Sequence, residues 1–296
     1  MSFLDFMQPV PPDVAIEIDS AHVAAARLAW RGSTISGHVV EPLPAGAVLP
    51  ALTAQNITDV AAVGRTIAQA LARLGGRVTR AALVIPDTAA KVSLVRFDTV
   101  PASTADLAEL VRWQIRKSAP FPLDQAVISF TPGIVPAEGG REFVVTTART
   151  DVIEQYEQAC AEAGVHAGLI DIATFSILNG VLTAQPAAAE DWLLVHATPT
   201  YTTLAVLRGG DLIFFRNREE ESQGTLADVV HQTAMYYEDR LKGAGFTRVL
   251  LAGGAVTGVD AVRRSLEQRL DVRIEPVPQP ELASLVGILS RERKVA

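Results

Sequence analysis

Two stretches of the sequence repeat one pattern, and their starts lie about 180 residues apart. Residues 13–40 and 193–217 each run through a buried strand, a small polar turn, a long strand, a glycine-containing loop and a further strand. Strand-forming residues such as Val206, Ile213 and Phe214 are frequent in the second stretch. The repeated unit predicts a duplicated, two-lobed architecture with a cleft between the lobes.

The composition limits the classes of function. A chain of 296 residues has enough material for one large or two ordinary domains. Its net charge of −7 disfavours a nucleic-acid-binding surface, which needs clustered Lys and Arg. The single cysteine, Cys160, excludes an internal disulfide and a cysteine-based metal site, and it favours a reducing compartment.

The first residues are apolar but do not form a secretory signal, because no positive region precedes them. No apolar run approaches the roughly 18–20 residues that cross a bilayer. We therefore expect a soluble, cytoplasmic protein. The segment from Phe3 to Met7 has two interpretations that stay open: a terminus that is frayed or packed on the body, or a short peptide that touches a membrane or a partner.

The order of predicted elements is that of an α/β protein with an insertion. A helix over residues 58–74, capped by Thr58, and a buried strand over 81–86 follow the first strand unit. Residues 90–166 then alternate strands and helices as a small α+β module. We predict a first lobe over residues 1–186, which includes this module, and a second lobe over residues 187–296, which includes a closing helix at 280–292.

Three segments carry a resemblance to a known family. They are ELVRWQIRKSAPFPLDQAVISF at 109–130, GVHAGLIDIATFSILNGVL at 164–182, and the long helix and Gly-Gly turn at 226–254. In this order they resemble the type IV pilus assembly protein PilM family of the actin-like ATPase superfamily. The Pro-Phe-Pro element lies in the inserted module, and the division protein FtsA, which shares the overall plan, lacks it.

The resemblance implies a fold, partners and a location. The fold would be the two-lobed actin-like (ribonuclease H-like) fold, with ATP and Mg²⁺ between the lobes. The function would be that of a cytoplasmic scaffold in the pilus assembly complex, peripheral to the inner membrane. It would bind the short N-terminal tail of a PilN-like membrane protein in a groove between the first lobe and the inserted module, contact other pilus platform proteins, and associate with the membrane through these partners.

The first candidate phosphate turn departs from the family pattern. Glu17 stands where the family has Asp, and Asp19 stands where it has Gly, followed by Ser20. A carboxylate at the glycine position repels a phosphate by about 4 kcal/mol at roughly 4 Å and an effective dielectric constant near 20. Ala24 stands where the family usually has Lys, so a cation that would neutralise phosphate is missing as well.

The second turn departs from the family pattern as well, whereas the turn after the late strand keeps it. His196 replaces the acid and Thr198 the glycine of the second turn, although the hydroxyl groups of Thr198 and Thr200 could still donate hydrogen bonds. Only the Gly253-Gly254 turn keeps the family's residues, and such a turn also has a structural explanation, since glycine permits a sharp strand-to-helix exit.

Most elements of a nucleotide site are therefore altered, including residues 229–233, where the family contacts adenosine. We predict a pseudo-ATPase that is not an enzyme, with no cofactor and with ATP and Mg²⁺ disfavoured. A metal site between His22 and His196 is a weaker idea, and no Walker or His-Glu-x-x-His motif is present. The alternative is an active ATPase of a pilus, a type II secretion system or FtsA-like division machinery.

The module carries the candidate partner-binding residues Arg112, Trp113, Arg116 and Phe121. In one interpretation Trp113 or Phe121 belongs to the module core and the cations lie on a solvated helix face. In the other, they form an aromatic-lined groove, edged by cations, that accepts an extended peptide. We favour the second, with partner binding kept while the ATP site was lost.

Overall fold

The structure is a computed structural model that describes residues 12–29, 34–184, 190–219, 225–253, 259–270 and 272–291. Its strands, in chain order, are β1 (Val14–Ile18), β2 (His22–Leu28), β3 (Ile35–Pro42), β4 (Arg80–Ile85), β5 (Ala90–Phe97), β6 (Ala126–Pro132), β7 (Arg141–Arg149), β8 (His166–Ile172), β9 (Asp191–Ala197), β10 (Tyr201–Arg208), β11 (Asp211–Glu219), β12 (Arg248–Ala252) and β13 (Ile274–Pro276). Its helices are α1 (Val60–Leu74), α2 (Thr104–Ile115), α3 (Thr150–Glu162), α4 (Ala173–Ala184), α5 (Leu226–Leu241), α6 (Val259–Leu270) and α7 (Ala283–Arg291).

The chain divides into two compact units. The first unit comprises residues up to Ala89, residues 151–185 and residues from Leu282 onward; the second comprises residues 90–150 and 186–281. Each unit contains one five-stranded sheet, in the order β3-β2-β1-β4-β8 in the first and β11-β10-β9-β12-β13 in the second. In both sheets the first three strands of this order pair antiparallel with one another, and the remaining neighbours pair parallel. The repeated sequence pattern therefore corresponds to a repeated sheet topology.

The closing helix α7 lies in the first unit. Its apolar residues Leu285, Ile288 and Leu289 pack on the alanine-rich face of the sheet, and the helix also packs on α4. A Cβ atom added at Gly287 would lie 1.7 Å from the carbonyl oxygen of Ser176, so the two helices touch through glycine. The prediction that this helix belongs to the second lobe is wrong, because its apolar face complements the small side chains of the first sheet.

The inserted module is narrower than the predicted range 90–166, and residues 90–150 group with the second unit, whereas the prediction assigned them to the first lobe. Strands β5, β7 and β6 form a separate antiparallel sheet that helix α2 covers on one face. Helix α3 belongs instead to the first unit, since the side chain of Gln155 accepts a hydrogen bond from the backbone N–H of Asn56 at 2.9 Å. The hydroxyl of Tyr156 donates to Asn56 Oδ1 at 3.2 Å.

Side chains cap the starts of three helices, and at one of them the capping residue differs from the prediction. Ser103 caps α2, and Thr225 with Asp228 forms a capping box at the start of α5. Helix α1 is capped by Asp59, whose side chain accepts from the backbone N–H of Ala62, and not by Thr58. Among the helices in the described ranges, none combines the length and the apolar character needed to span a membrane.

Candidate functional site

The first candidate phosphate turn joins β1 to β2 in the first unit, and its backbone donors are already used. Asp19 Oδ1 accepts hydrogen bonds from the backbone N–H groups of Ala21 and His22, at 2.6 and 2.7 Å. The N–H of Asp19 donates to the carbonyl oxygen of His22 at 3.1 Å. The carboxylate at the predicted glycine position thus occupies amides of the kind that bind a phosphate in such a turn.

The same carboxylate binds the imidazole of His22. Asp19 Oδ2 lies 3.0 Å from His22 Nδ1. The hydrogen bond to Asp19 raises the pKa of His22 above 6.5, burial opposes this shift, and the charges of Asp19 and Glu17 add to it. His22 therefore contacts a residue of its own hairpin, and the described residues contain no group of three or more His, Cys, Asp or Glu side chains that could hold a metal ion.

Glu17 and Ala24 face each other across the β1–β2 ladder and both contact helix α7 or its core. The hydroxyl of Ser284 on α7 donates to Glu17 Oε2 at 2.9 Å. Ala24 is only 1% exposed and belongs to the apolar cluster that includes Leu285. Both side chains at these predicted site positions therefore take part in the packing of helix α7.

The second turn, between β9 and β10 in the second unit, repeats the hydrogen-bond pattern of the first. Thr198 Oγ1 accepts from the backbone N–H groups of Thr200 and Tyr201, at 3.3 and 3.0 Å, and donates to the carbonyl oxygen of Tyr201 at 2.9 Å. As in the first turn, the side chain at the predicted glycine position accepts from the amides two and three residues later. Such local bonds are common for Thr and Asp in turns.

His196 precedes this turn and is only 5% exposed. Its ring packs edge-on against that of Tyr201, with 5.6 Å between the ring centroids. The position where the resemblance expects an acid thus holds a side chain packed inside the second unit.

Gly253 has a steric reason to be glycine. Its φ angle is +107°, and an added Cβ would lie 1.9 Å from the carbonyl oxygen of Ala197. The close approach of β12 to β9 therefore requires glycine whether or not a ligand is bound. Gly254 lies outside the described residues, as do the segment from Phe3 to Met7 and the predicted lobe boundary at Pro186.

Sequence reasoning missed two buried carboxylates, Asp87 just beyond the carboxyl end of β4 and Asp171 as the next-to-last residue of β8. Asp87 is fully buried and accepts hydrogen bonds from the backbone N–H of Thr174, at 2.9 Å, and from its hydroxyl. Asp171 Oδ1 accepts from the backbone N–H of Ile172 at 2.9 Å. The position of Asp87 directly after the apolar run at 81–86 was the available signal. Its hydrogen-bond partner Thr174, however, lies 87 residues further along the chain.

On the module, the candidate partner-binding residues lie at the surface. Trp113 is 67% exposed and is absent from the module core, so the interpretation of Trp113 as a core residue is wrong. Arg112 Nη1 donates to the carbonyl oxygen of Leu123 at 2.7 Å, which ties α2 to the segment that leads into β6. Arg116 is exposed and Phe121 is half-buried.

Known structures with the same fold cover almost the whole chain. The first is the "PilM-PilN type IV pilus biogenesis complex", with a TM-score of 0.81 and 17% identity over 96% of this chain and 99% of that one. A Bacteroides thetaiotaomicron protein with an actin-like ATPase fold has a TM-score of 0.54 and 7% identity over 96% and 99%. The cytoplasmic domain of EpsL from the Vibrio cholerae type II secretion system has a TM-score of 0.52 and 7% identity over 96% and 94%. The chain has an actin-like ATPase fold.

The family model of the type IV pilus assembly protein PilM matches residues 15–239, well over half of the chain. The chain therefore belongs to this family. Among curated proteins, none matches the sequence significantly.

Proposed function

We propose that this chain is a non-catalytic cytoplasmic scaffold of the type IV pilus inner-membrane assembly complex, and that it binds the N-terminal tail of a PilN-like membrane protein. Membership of the pilus assembly family supports the first part. The similar fold of a PilM chain solved in complex with PilN supports the choice of partner. In this proposal the chain reaches the inner membrane through its partners, which include other pilus platform proteins.

The observation that carries the non-catalytic part is the hydrogen-bond pattern that the two turns share. In each turn one side chain, of Asp19 or Thr198, accepts from two backbone N–H groups that a phosphate would need. A nucleotide would have to break these bonds and, at Asp19, approach a negative charge. Because the broken hydrogen bonds and the charge repulsion both reduce the net binding free energy, ATP is a poor ligand and hydrolysis is not expected.

The observation that carries the partner part is the exposure of Trp113. A tryptophan that is 67% exposed contributes little to the fold, yet burial of its ring in an interface would release a large apolar area from water. The neighbouring side chains of Arg112 and Arg116 can flank a bound peptide, and Phe121 adds a second half-buried aromatic ring.

The partner is tested with the full chain and a synthetic peptide of the cytoplasmic tail of the PilN-like protein from the same genome. We expect Trp113→Ala to weaken binding, measured by isothermal titration, at least about tenfold, which corresponds to about 1.4 kcal/mol. Tyr236→Ala is the matched control, because Tyr236 is an exposed aromatic residue on α5. Full-strength binding by both Trp113→Ala and Phe121→Ala would contradict the assignment of the site.

The non-catalytic part is tested separately by titration with Mg-ATP and by measurement of phosphate release. We expect neither binding in the micromolar range nor release above the rate without protein. Micromolar affinity would contradict the proposal and favour an active ATPase of a pilus, secretion or division machine.

A further inference from the structure

Strand β6 forms one edge of the module sheet, and within the described part of the chain it differs from the other edge strands. The sheets end in β3 and β8, in β11 and β13, and in β5 and β6. Each of the other five contains at least one ionisable side chain, such as Glu41 in β3 or Arg216 in β11. The residues of β6, AVISFTP, include none. Charged side chains normally protect an edge from pairing with another strand.

The pairing of β6 is also regular. Its seven residues pair with β7 without a register shift, whereas the ladders that hold β3, β8 and β11 each contain an irregularity. Bulges are a second common means of blunting an edge. Only Pro132, at the end of the strand, lacks a backbone donor.

The direction of the backbone groups follows from the hydrogen bonds beside the strand. Gly133 donates its N–H to the carbonyl oxygen of Glu142 in β7, at 2.8 Å. Since N–H directions alternate along an antiparallel strand, Thr131, Ser129 and Val127 also face β7. Ile128 and Phe130 therefore direct their N–H and C=O groups toward the free edge. Their side chains pack partly buried beneath α2.

The C-terminal part of helix α2 lies beside the segment that leads into β6. The bond from Arg112 to the carbonyl oxygen of Leu123 places that side of α2 next to the segment that enters β6. Arg116 follows Arg112 by one helical turn and is exposed. On the opposite face of the sheet, the side chain of Val127 is 45% exposed. The edge thus combines free backbone groups with apolar side chains and a cationic rim.

We propose that β6 is a strand-addition site: an extended, mainly apolar peptide of the partner pairs with the backbone of Ile128 and Phe130 and adds a fourth strand to the module sheet. Main-chain hydrogen bonds supply the affinity in this mode of recognition, and alternate side chains supply the specificity. The proposal rests on the proposed function, since it takes the occupant to be the tail of the PilN-like protein.

A second copy of this chain fits the edge less well. Antiparallel pairing of two β6 strands would form one continuous sheet and place both α2 helices on the same face. Because the two strands would run in opposite directions, the cations beside the start of each β6 would lie at the far end of the other strand, and β6 has no acidic side chain to pair with them. A peptide, in contrast, could supply a carboxylate that pairs with the exposed guanidinium of Arg116.

The test is site-resolved amide hydrogen exchange on the full chain, with and without a saturating concentration of the synthetic tail peptide. We expect exchange at Ile128 and Phe130 to slow at least about tenfold, because these amides gain hydrogen bonds. The amide of Ser129, which already faces β7, serves as the internal control and should change much less.

A matched pair of variants provides a second measurement. Val127→Lys places a charge beside the edge and should weaken peptide binding at least about tenfold. Val40→Lys on β3 is the control, because Val40 is similarly exposed, at 49% compared with 45% for Val127, and lies in the other unit. It should bind the peptide with unchanged affinity.

The outcomes separate the two proposals. Peptide binding with unchanged exchange at Ile128 and Phe130 would contradict strand addition and leave the proposed partner intact. Absence of binding would contradict the proposed partner and strand addition by it. Protection of the same two amides that increases with protein concentration, without peptide, would identify a second copy as the occupant and overturn the proposal.

Discussion

In the two turns the polar groups are hydrogen-bonded within the fold, whereas on the module surface an aromatic ring and a strand edge face the solvent. In the turns, Asp19 and Thr198 bond back to their own backbones, so the groups that could hold a ligand are used internally. On the module, the ring of Trp113 and the outer edge of β6 are left to the solvent. A group that is satisfied within the fold stabilises the fold, whereas an exposed aromatic ring and an unprotected edge are costs that a partner can remove. The contrast supports the proposal that the partner binds to the module.

The largest expected effect tests whether the late Gly-Gly turn is structural. Gly253→Ala should lower the free energy of unfolding by about 3 kcal/mol, because the new Cβ meets the carbonyl oxygen of Ala197 and the backbone has positive φ. Urea denaturation measures the loss. Gly210→Ala is the control, since an added Cβ there has no atom within 4 Å, and it should change stability by less than about 0.5 kcal/mol. Equal stability of the two variants would contradict a structural role for Gly253.

A smaller effect is expected when the first turn loses its internal acceptor. Asp19→Ala removes the acceptor for two amides and should cost about 1–2 kcal/mol of unfolding free energy. Asp19→Asn keeps an oxygen at the Oδ1 position and should cost clearly less. If the two variants were equally stable, the bonds from Asp19 to its own turn would not support the hairpin.

The ion pair in the same turn should make stability depend on pH. The pKa of His22 is raised in the folded state, so its contribution is fully present below the unfolded value of 6.5 and is lost as the pH rises through the higher folded value. Because the pair is partly exposed, the loss should be under about 1 kcal/mol between about pH 5.5 and about pH 8.5. Denaturation of the wild type and of His22→Gln at both pH values measures it. A pH dependence identical in the two proteins would contradict this contribution.

The smallest effect concerns the module surface. Trp113→Ala should change the free energy of unfolding by less than about 0.5 kcal/mol, since the side chain is mostly solvated. Val111→Ala, on the buried face of the same helix, should cost about 2 kcal/mol. Thermal and urea unfolding of both variants would show the difference. A cost for Trp113→Ala as large as that for Val111→Ala would assign Trp113 to the fold and remove the contrast with the turns.

Much of the fold was predictable because its signals are local. Strand-forming runs and turn residues at 13–40 and 193–217 predicted the repeated sheets. The prediction failed where membership depended on distant contacts. Helix α7 begins about 100 residues after the end of α4 in the chain, yet the two helices pack side by side. Periodicity gives a helix an apolar face and does not say which sheet that face covers.

The candidate site was predictable in its residue types and not in its bonds. The sequence by itself determined that the turns carry Glu17, Asp19, His196 and Thr198 in place of the family's residues, and that an aromatic and cationic cluster lies on the module. Only the tertiary structure decided that Asp19 and Thr198 accept from their own amides, that α7 covers Ala24, and that Trp113 faces the solvent while β6 lies at an edge. Residue type fixes which groups can donate or accept, but the partner each group finds, or does not find, depends on how distant elements pack.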